Sequence, residues 1–410
     1  MSFRSDQPVS ARALFLTLLV VGLLCRVAFV WFTPPFYAPD EQSHYHYIQY
    51  LAERHAIPVL NSKLGDASNE WEYFQPPLYY TLLVPAFVAA QAVFHSTAAT
   101  VLVLRTFSVL LWLLNLWIGV VLLRRIKLED ELTRVLVFGL ICLLPTYTFV
   151  SAAINNDNLL ATLGGAVLCL MAQRQPSWKN SVALGLTLGL TLLTKQSAVI
   201  FFPAVALLTV LDAIRQRLPW RAAIRHLAVA LGLATLMYLP WALRNWRLYA
   251  TFTPEYLATD RLIWPSFFYG VASAVHNLAK TFWAVSGVSN DVGYPFPLLG
   301  FGALVLWWVG QQTRLLPERA ADATNWQRNG PLLGAFLLAL GLNLLLVVRF
   351  GYLFGMGQGR HLFPLLFPIA LVLAAGWRKL PVKAVGLWVT GFWVIYAVSF
   401  TLFSLTRFPR

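Results

Sequence analysis

The sequence predicts an all-α polytopic membrane protein, on three observations. Apolar runs of about twenty residues, the length that a helix needs to cross a bilayer, recur along the 410-residue chain. Hydrophobic residues make up 58% of the chain and charged residues only 12%, which excludes an ordinary soluble domain. Many of the 16 tryptophans stand near the ends of apolar runs, as aromatic residues at a membrane interface do. We therefore expect a single integral membrane domain over residues 1–410.

About eleven apolar segments are predicted to be transmembrane helices. The first follows a short polar N-terminus without a small-residue cleavage site, so it is expected to remain as a span and not to be removed as a signal peptide. Two further apolar segments, 78–94 and 266–287, contain proline or charged residues and are interpreted as juxtamembrane helices. The predicted spans are 13–32, 102–123, 132–150, 158–173, 180–194, 197–212, 223–241, 296–311, 330–349, 361–376 and 382–404.

The basic residues predict the orientation of the chain. If 78–94 and 266–287 do not cross, more than half of the 31 Lys and Arg residues fall in short connections on one side, which is then cytoplasmic. The net charge of +14 therefore reflects membrane topology, and no nucleic acid partner is expected. The outer side carries two long segments. Residues 33–101 form a first outer loop with acidic residues, and residues 242–295 form a second that is expected to hold substrate-binding elements.

The acidic pair Asp40–Glu41 in the first outer loop is the leading candidate for catalysis. Carboxylates beside hydrocarbon are costly to desolvate, so they are rare without a function. Prolines precede the pair, and residues 42–55 predict an amphipathic helix that would hold it at the membrane surface. A carboxylate there could accept a proton from an acceptor hydroxyl. The alternative is a solvated loop or a charge that stabilises a helix start.

Histidines close to this pair raise the question of a metal ion. Asp40 and His44 are four residues apart and would share one face of a helix. The sequence identifies no third ligand. We therefore assign no metal site, and a divalent metal ion stays an open alternative.

The other unusual polar residues fall on the same predicted side. Gln75 and the preceding Glu70 and Glu72 are candidates for binding substrate hydroxyls. Lys195 is a lone cation in a very short connection. In the GMGQGRHLFP segment, glycines would let the backbone approach a ligand, and Arg360 at a helix start would bind an anion. The alternatives are helix caps, turns and lipid contacts. The candidate substrate-binding residues are Gln75, Asn156, Asp157, Lys195, Arg244, Arg360 and His361.

These motifs, in their order along the chain, resemble those of the GT-C superfamily. The matching segments are the Asp40–Glu41 pair, QPPLYY from Gln75, NNDN from Asn155 and TKQSA from Thr194, mostly in the N-terminal half. Members are membrane glycosyltransferases that use polyprenyl-phosphate sugars, including protein O-mannosyltransferases and aminoarabinose transferases. The resemblance implies a GT-C-like bundle of about 11 transmembrane helices with juxtamembrane helices in the first outer loop. Many relatives have Lys where this chain has Gln75, so no phosphate contact is expected there.

The resemblance also implies a function. An inverting glycosyltransferase would move a hexose or pentose from a polyprenyl-phosphate donor to a glycan, lipid or protein acceptor, on the outer face of a bacterial inner membrane. Asp40 would be the catalytic base and Glu41 the second candidate. Lys195, Arg360 and Arg244 would stabilise the leaving phosphate. Apart from the donor substrate and surrounding lipids, no certain cofactor is implied.

Three other functions stay open. A flippase or transporter of lipid-linked saccharides would need polar groups along a path through the bundle, whereas the polar groups here cluster at one end. A transferase of the O-antigen-ligase type would also need an outward cationic site. A non-catalytic assembly subunit would not depend on Asp40.

Overall fold

The computed structural model of the protein describes residues 10–60, 70–173, 177–215, 218–254, 264–285, 302, 320–355, 357–378 and 385–408. In these residues the chain is helical and contains no β-strand. Three 3-10 turns, Trp71–Phe74, Gln196–Ile200 and Gly359–Leu365, interrupt the series of α-helices. The α-helices are α1 (Ala11–Phe32), α2 (Glu41–Arg54), α3 (Leu78–Phe94), α4 (Thr97–Arg125), α5 (Glu131–Leu143), α6 (Pro145–Val150), α7 (Asp157–Ala172), α8 (Trp178–Thr194), α9 (Phe201–Ile214), α10 (Trp220–Tyr249), α11 (Phe267–Trp283), α12 (Ala320–Phe354), α13 (Leu366–Trp377) and α14 (Val385–Arg407).

Seven helical segments of the described chain are long and apolar enough to cross a membrane, so the chain is an integral membrane protein. On α1 the exposed side chains are apolar and recur every three or four residues, which presents one continuous face to hydrocarbon. Helices α7 and α8 also lie on predicted spans, but they are 16 and 17 residues long. The predicted span 296–311 lies outside the described residues apart from Gly302. The seven segments are Ala11–Phe32, Thr97–Arg125, Gln196–Ile214, Trp220–Tyr249, Asn329–Phe354, Gly359–Trp377 and Gly386–Arg407.

The predicted span 132–150 is two helices, not one, because α5 ends before Pro145 and α6 begins there. Proline has no N–H to donate, and its ring clashes with the carbonyl one turn earlier. The break frees the Cys142 carbonyl, which accepts a hydrogen bond from Arg26 Nη1 at 2.8 Å. Buried Arg26 thus satisfies the backbone at the break, where a polar group in hydrocarbon would otherwise stay unpaired.

The segment 78–94 forms α3, which lies along α2. Near the start of α3, the Tyr80 ring stacks on the Tyr47 ring with centroids 3.8 Å apart. Near its end, Gln91 Nε2 donates to the Tyr45 hydroxyl at 3.2 Å. Both ends of α3 therefore contact α2. With 17 residues, α3 is shorter than the seven segments long enough to cross a membrane, and the juxtamembrane interpretation of 78–94 stays a prediction.

The segment 266–287, described up to residue 285, forms α11, which enters the bundle from the same end. Trp264 Nε1 donates to the Tyr352 carbonyl at 2.7 Å, which ties the start of α11 to the end of α12. At the other end of α11, the Trp283 ring stacks near that of Trp393 in α14, with centroids 6.5 Å apart. This helix therefore extends from the end of α12 to α14.

Helix α10 is longer than the predicted span 223–241. It continues past Pro240 to Tyr249, so Arg244 and Arg247 lie on its last turns and not in the second outer loop. The Arg244 guanidinium stacks over the Trp241 ring at 4.7 Å. An aromatic ring can stabilise a cation in this way, which supports a helical continuation at the interface.

The glycines before Arg360 allow close helix packing. A Cβ on Gly359 would lie 2.1 Å from the Phe282 Cα in α11, and one on Gly357 would lie 2.7 Å from the Val347 carbonyl oxygen in α12. The Gly359 N–H donates to Thr281 Oγ1 at 2.7 Å. The sequence predicted that glycines here let the backbone approach a ligand. In the structure, the space beside Gly359 and Gly357 is filled by protein instead.

Replacing Gly359 with alanine is expected to destabilise the fold by about 1–3 kcal/mol, because the new methyl group must displace helix backbone. Thermal unfolding in detergent measures the change. The matched control is Gly341→Ala on α12, where a Cβ has no atom within 4 Å. That change should be neutral or slightly stabilising, because alanine favours helix. Equal melting temperatures for the two variants would contradict the packing.

Candidate active site

Candidate residues from four separate connections meet at one end of the bundle. They come from the link between α1 and α2, the start of α7, the link after α8 and the 3-10 turn before α13. Arg360 Nη2 donates to Asp40 Oδ2, and Lys195 Nζ donates to Asp157 Oδ1 at 2.6 Å. Arg360 Nε also lies 3.8 Å from Asp157 Oδ2. The result is a chain of alternating charges, Asp40–Arg360–Asp157–Lys195.

Exposure separates the members of this charge chain. The side chains of Asp40 and Lys195 are 19% and 16% exposed, whereas those of Arg360 and Asp157 are 8% and 1% exposed. Asp40 and Lys195 are therefore the members that a substrate can reach most directly. Asp157 lies behind them, and it holds both cations close together by its charge.

Asp40 has a backbone conformation that L-residues rarely adopt. Its φ is 65° and its ψ is 0°, in the left-handed region, where Asp and Asn are tolerated better than most residues. It precedes α2, but its side chain makes no capping bond to that helix. The carboxylate is consequently left for Arg360. Strained residues of this kind cluster at functional sites, where the surrounding structure holds them.

Glu41 lies beside Asp40 in sequence but occupies a different environment. It is fully buried and forms a bidentate pair with Arg105, at 2.8 Å from Nε and 2.7 Å from Nη2. Its oxygens also accept the backbone N–H groups of Phe36 and Ile154. Both oxygens are therefore occupied, so the structure does not support Glu41 as a second catalytic acid. The remaining Arg105 N–H groups donate to the carbonyls of Val30, Thr33 and Pro34.

His44 and Glu72 form a second polar group next to Asp40. His44 Nδ1 lies 3.0 Å from the Tyr80 hydroxyl, and His44 Nε2 lies 3.9 Å from Glu72 Oε1. Burial lowers the pKa of His44 to about 3, so its imidazole is neutral at pH 7. Burial, together with the nearby Asp40 carboxylate, raises the pKa of Glu72 to about 8. The 3.9 Å contact is therefore not an ion pair. Among the described residues, Asp40, His44 and Glu72 form the group that could hold a metal ion.

The Asn-Asn-Asp-Asn segment is partly structural. Asn155 Oδ1 accepts the Asp157 N–H at 2.9 Å, and Asn158 Nδ2 donates to the Val150 carbonyl at 2.9 Å. These contacts form the turn into α7. Asn156 instead faces the site, since its Nδ2 lies 3.4 Å from the Tyr80 hydroxyl. The segment therefore supplies both the turn and two of the predicted site residues.

The other predicted residues lie around the charge chain. Gln75 is buried, its carbonyl accepts the Tyr47 hydroxyl at 3.1 Å, and its Oε1 has no partner among the described residues. His361 is half-buried beside Arg360, and its carbonyl accepts Asn343 Nδ2 at 3.0 Å. Either side chain could contact a substrate.

Arg244 is not part of the charge chain. Its guanidinium donates to the Pro58 carbonyl, which fixes the segment after α2. The structure therefore places this cation at the loop and does not bring it to Asp40.

Two residues of the site region had no place in the sequence interpretation. Arg105 interrupts the apolar run VLVLRTFSVLL, and such a charge within a span signals a buried partner. Tyr80 belongs to the noted QPPLYY segment, but its contacts with His44 and Asn156 depend on how three segments meet. Of these two residues, only Arg105 could be recognised from the sequence, as a charge within an apolar run.

No protein-family model matches the chain, and no curated protein matches it in sequence. Among solved structures it is similar to ArnT from Cupriavidus metallidurans in the apo state, with a TM-score of 0.56 and 15% identity over 91% of this chain. The same protein bound to undecaprenyl phosphate gives a TM-score of 0.53 and 16% identity over 90% of this chain. In each case the chain covers 61% of the length of ArnT. The protein therefore shares the all-helical membrane fold of ArnT.

Proposed function

We propose that the protein is an inverting glycosyltransferase that takes its sugar from a polyprenyl-phosphate donor. The observation that carries this proposal is the chain of charges at one end of a GT-C fold, in which a partly exposed Asp40 lies beside Arg360 and Lys195. The ArnT structure with undecaprenyl phosphate supports the lipid donor. A prenyl tail could lie against the apolar helix faces while the cations bind its phosphate.

Asp40 is the proposed base. It takes the proton of the acceptor hydroxyl as that oxygen attacks the anomeric carbon. The new C–O bond forms on the face opposite the breaking bond to the phosphate oxygen, so the configuration inverts. The electron pair of the broken bond leaves with the polyprenyl phosphate. Phosphate is a good leaving group, and Lys195 and Arg360 stabilise its charge in a site with little water.

Donor binding also prepares the base in this scheme. Arg360 donates to Asp40, which holds the carboxylate in an ion pair. A phosphate group beside Lys195 would compete for Arg360. Transfer of the guanidinium to the phosphate frees the Asp40 oxygen to accept a proton. Arg360 would thereby link occupation of the donor site to activation of the base.

The basic residues support an outward-facing site in a bacterial inner membrane. Arg124 and Arg125 end α4, Arg215 follows α9 and Arg378 follows α13, all at helix ends remote from Asp40. By the positive-inside rule that end is cytoplasmic. The acceptor is then a glycan, lipid or protein at the outer surface, and the transferred sugar is a hexose or pentose.

Sugar transfer by purified protein tests the proposal. The protein in detergent is incubated with polyprenyl-phosphate hexoses or pentoses and a cell-envelope acceptor extract. We expect release of free polyprenyl phosphate and a product of inverted anomeric configuration. A flippase would leave the donor intact. The proposal fails if no donor is consumed and if cells with Asp40→Asn show neither donor accumulation nor altered surface glycans.

The two cations should contribute strongly to transfer. Lys195→Gln and Arg360→Gln are each expected to lower kcat/KM by about 10²–10³-fold, because each removes a charge that stabilises the leaving phosphate. Donor consumption at varied donor concentration measures the effect. The control is Lys179→Gln, which removes an exposed lysine at the other end of α8. If Lys179→Gln impairs transfer as much as Lys195→Gln, the assigned phosphate site is wrong.

A further inference from the structure

We propose that Asp40, His44 and Glu72 bind one divalent transition-metal ion such as Mn²⁺ or Zn²⁺. This metal site would lie within the proposed glycosyltransferase site, and only its biological use rests on the proposed function. The metal site itself requires only that the three side chains lie together. Metal binding and sugar transfer can therefore be tested separately.

The geometry brings three donor atoms to one point. One ligand atom from each of Asp40, His44 and Glu72 lies within 4.8 Å of the other two. Atoms bound to a common ion at about 2.1 Å lie at most about 4.2 Å apart. Small side-chain rotations are enough to close the site. Rotation of the Glu72 side chain breaks no hydrogen bond at Oε2, since this atom has no partner among the described residues.

The Glu72 carboxyl group has no Lys or Arg partner among the described residues. Among the described residues, Arg360 donates to Asp40 and Lys195 donates to Asp157, whereas Glu72 has only the His44 ring within ion-pair distance. Glu72 is 4% exposed, so its carboxyl group has little access to water. A divalent ion between His44 and Glu72 would take the place of the carboxyl proton and bind the carboxylate.

The surroundings of His44 are those of a metal ligand. With the proton on Nδ1, the ring donates to the Tyr80 oxygen 3.0 Å away and leaves the Nε2 lone pair directed towards Glu72. The Tyr80 oxygen also accepts Asn156 Nδ2, which helps to fix the position of the phenol. A hydrogen bond to the second ring nitrogen is the usual device that orients a histidine ligand.

The donor set selects the class of metal. One imidazole nitrogen and two carboxylate oxygens suit Mn²⁺ or Zn²⁺, whereas Ca²⁺ and Mg²⁺ prefer oxygen donors alone. Asp40 can serve both proposed roles because its two oxygens differ. Oδ2 bonds to Arg360, and the other oxygen is left for the ion. Once a phosphate binds Arg360, Oδ2 becomes available as the base.

Titration of the purified, metal-stripped protein with Mn²⁺, followed by electron paramagnetic resonance, tests the site. We expect one bound ion per chain, displaced by Zn²⁺. His44→Ala and Glu72→Gln should each weaken Mn²⁺ binding at least tenfold, and Tyr80→Phe should weaken it about tenfold through the lost hydrogen bond. Thermal unfolding of each variant shows that it is folded.

Two control substitutions match the ligands closely. His46→Ala removes a histidine two residues away on α2, and Glu70→Gln removes a carboxylate two residues before Glu72. Both should bind Mn²⁺ like the wild type. The proposal is overturned if the wild-type protein binds no Mn²⁺, or if the controls lose binding as much as His44→Ala and Glu72→Gln do. If the ion binds but transfer continues in excess chelator, the metal site stands and has no part in the reaction. If no ion binds while transfer proceeds, only the metal site is disproved.

Discussion

Replacing Asp40 with asparagine is expected to slow sugar transfer by about 10²–10⁴-fold while the fold is retained. Asparagine has the same shape but cannot accept the proton of the acceptor hydroxyl. It also tolerates the left-handed backbone that residue 40 adopts, with φ at 65°. The Arg360 guanidinium retains a negatively charged neighbour in the variant, because its Nε lies 3.8 Å from Asp157 Oδ2. Single-turnover consumption of a bound donor measures the loss directly.

The control for this substitution is Glu53→Gln. It removes an exposed carboxylate near the other end of α2 and should leave transfer unchanged. Asp40→Asn should also melt within a few degrees of the wild type, because the residue is partly exposed and its backbone geometry is preserved. Wild-type transfer by Asp40→Asn would exclude Asp40 as the base. A loss of melting temperature as large as the loss of activity would indicate a structural role instead.

Charged and amide residues in apolar surroundings made part of the site predictable. Asp40, Lys195 and Arg360 each lie next to apolar segments, and the free-energy cost of desolvating a charge there marks each of them in the sequence. The orientation argument then placed them on one side of the membrane. The ion pairs between them were not predictable, because residues 40 and 360 meet only after the whole bundle has folded.

The roles of neighbouring residues were harder to predict. Asp40 and Glu41 look equivalent in the sequence, yet α2 begins between them and directs their side chains to different places. Only the position of Arg105, in a different helix, shows that Glu41 is structural. A glycine in the sequence is equally ambiguous. Either a ligand or a neighbouring helix can come close to its backbone, and both need the space that a Cβ would fill. At Gly359 the neighbour is Phe282. The break at Pro145, by contrast, follows from local chemistry and could be read from the chain.

Replacing Glu41 with glutamine is expected to lower the free energy of unfolding by about 3–5 kcal/mol. The change leaves Arg105 charged and buried without its carboxylate. It also replaces one oxygen, which accepts an N–H group, with an NH₂ group that cannot accept one. Whichever way the amide turns, a donor then faces Arg105 or one of the backbone N–H groups of Phe36 and Ile154. Reversible unfolding in mixed detergent measures the loss, with Glu53→Gln as the control.

A double variant separates the ion pair from the rest of the fold. Glu41→Gln with Arg105→Met removes both charges, so its loss of stability should be smaller than the sum of the two single losses. Additive losses would show that the pair is not coupled.

Activity per folded molecule then distinguishes the two acids. Asp40→Asn should keep its stability and lose transfer, whereas folded Glu41→Gln should keep most of its transfer. A Glu41→Gln protein that is fully stable but inactive would restore Glu41 as a catalytic acid, because an ion pair that only holds α2 against α4 affects chemistry through the fold alone.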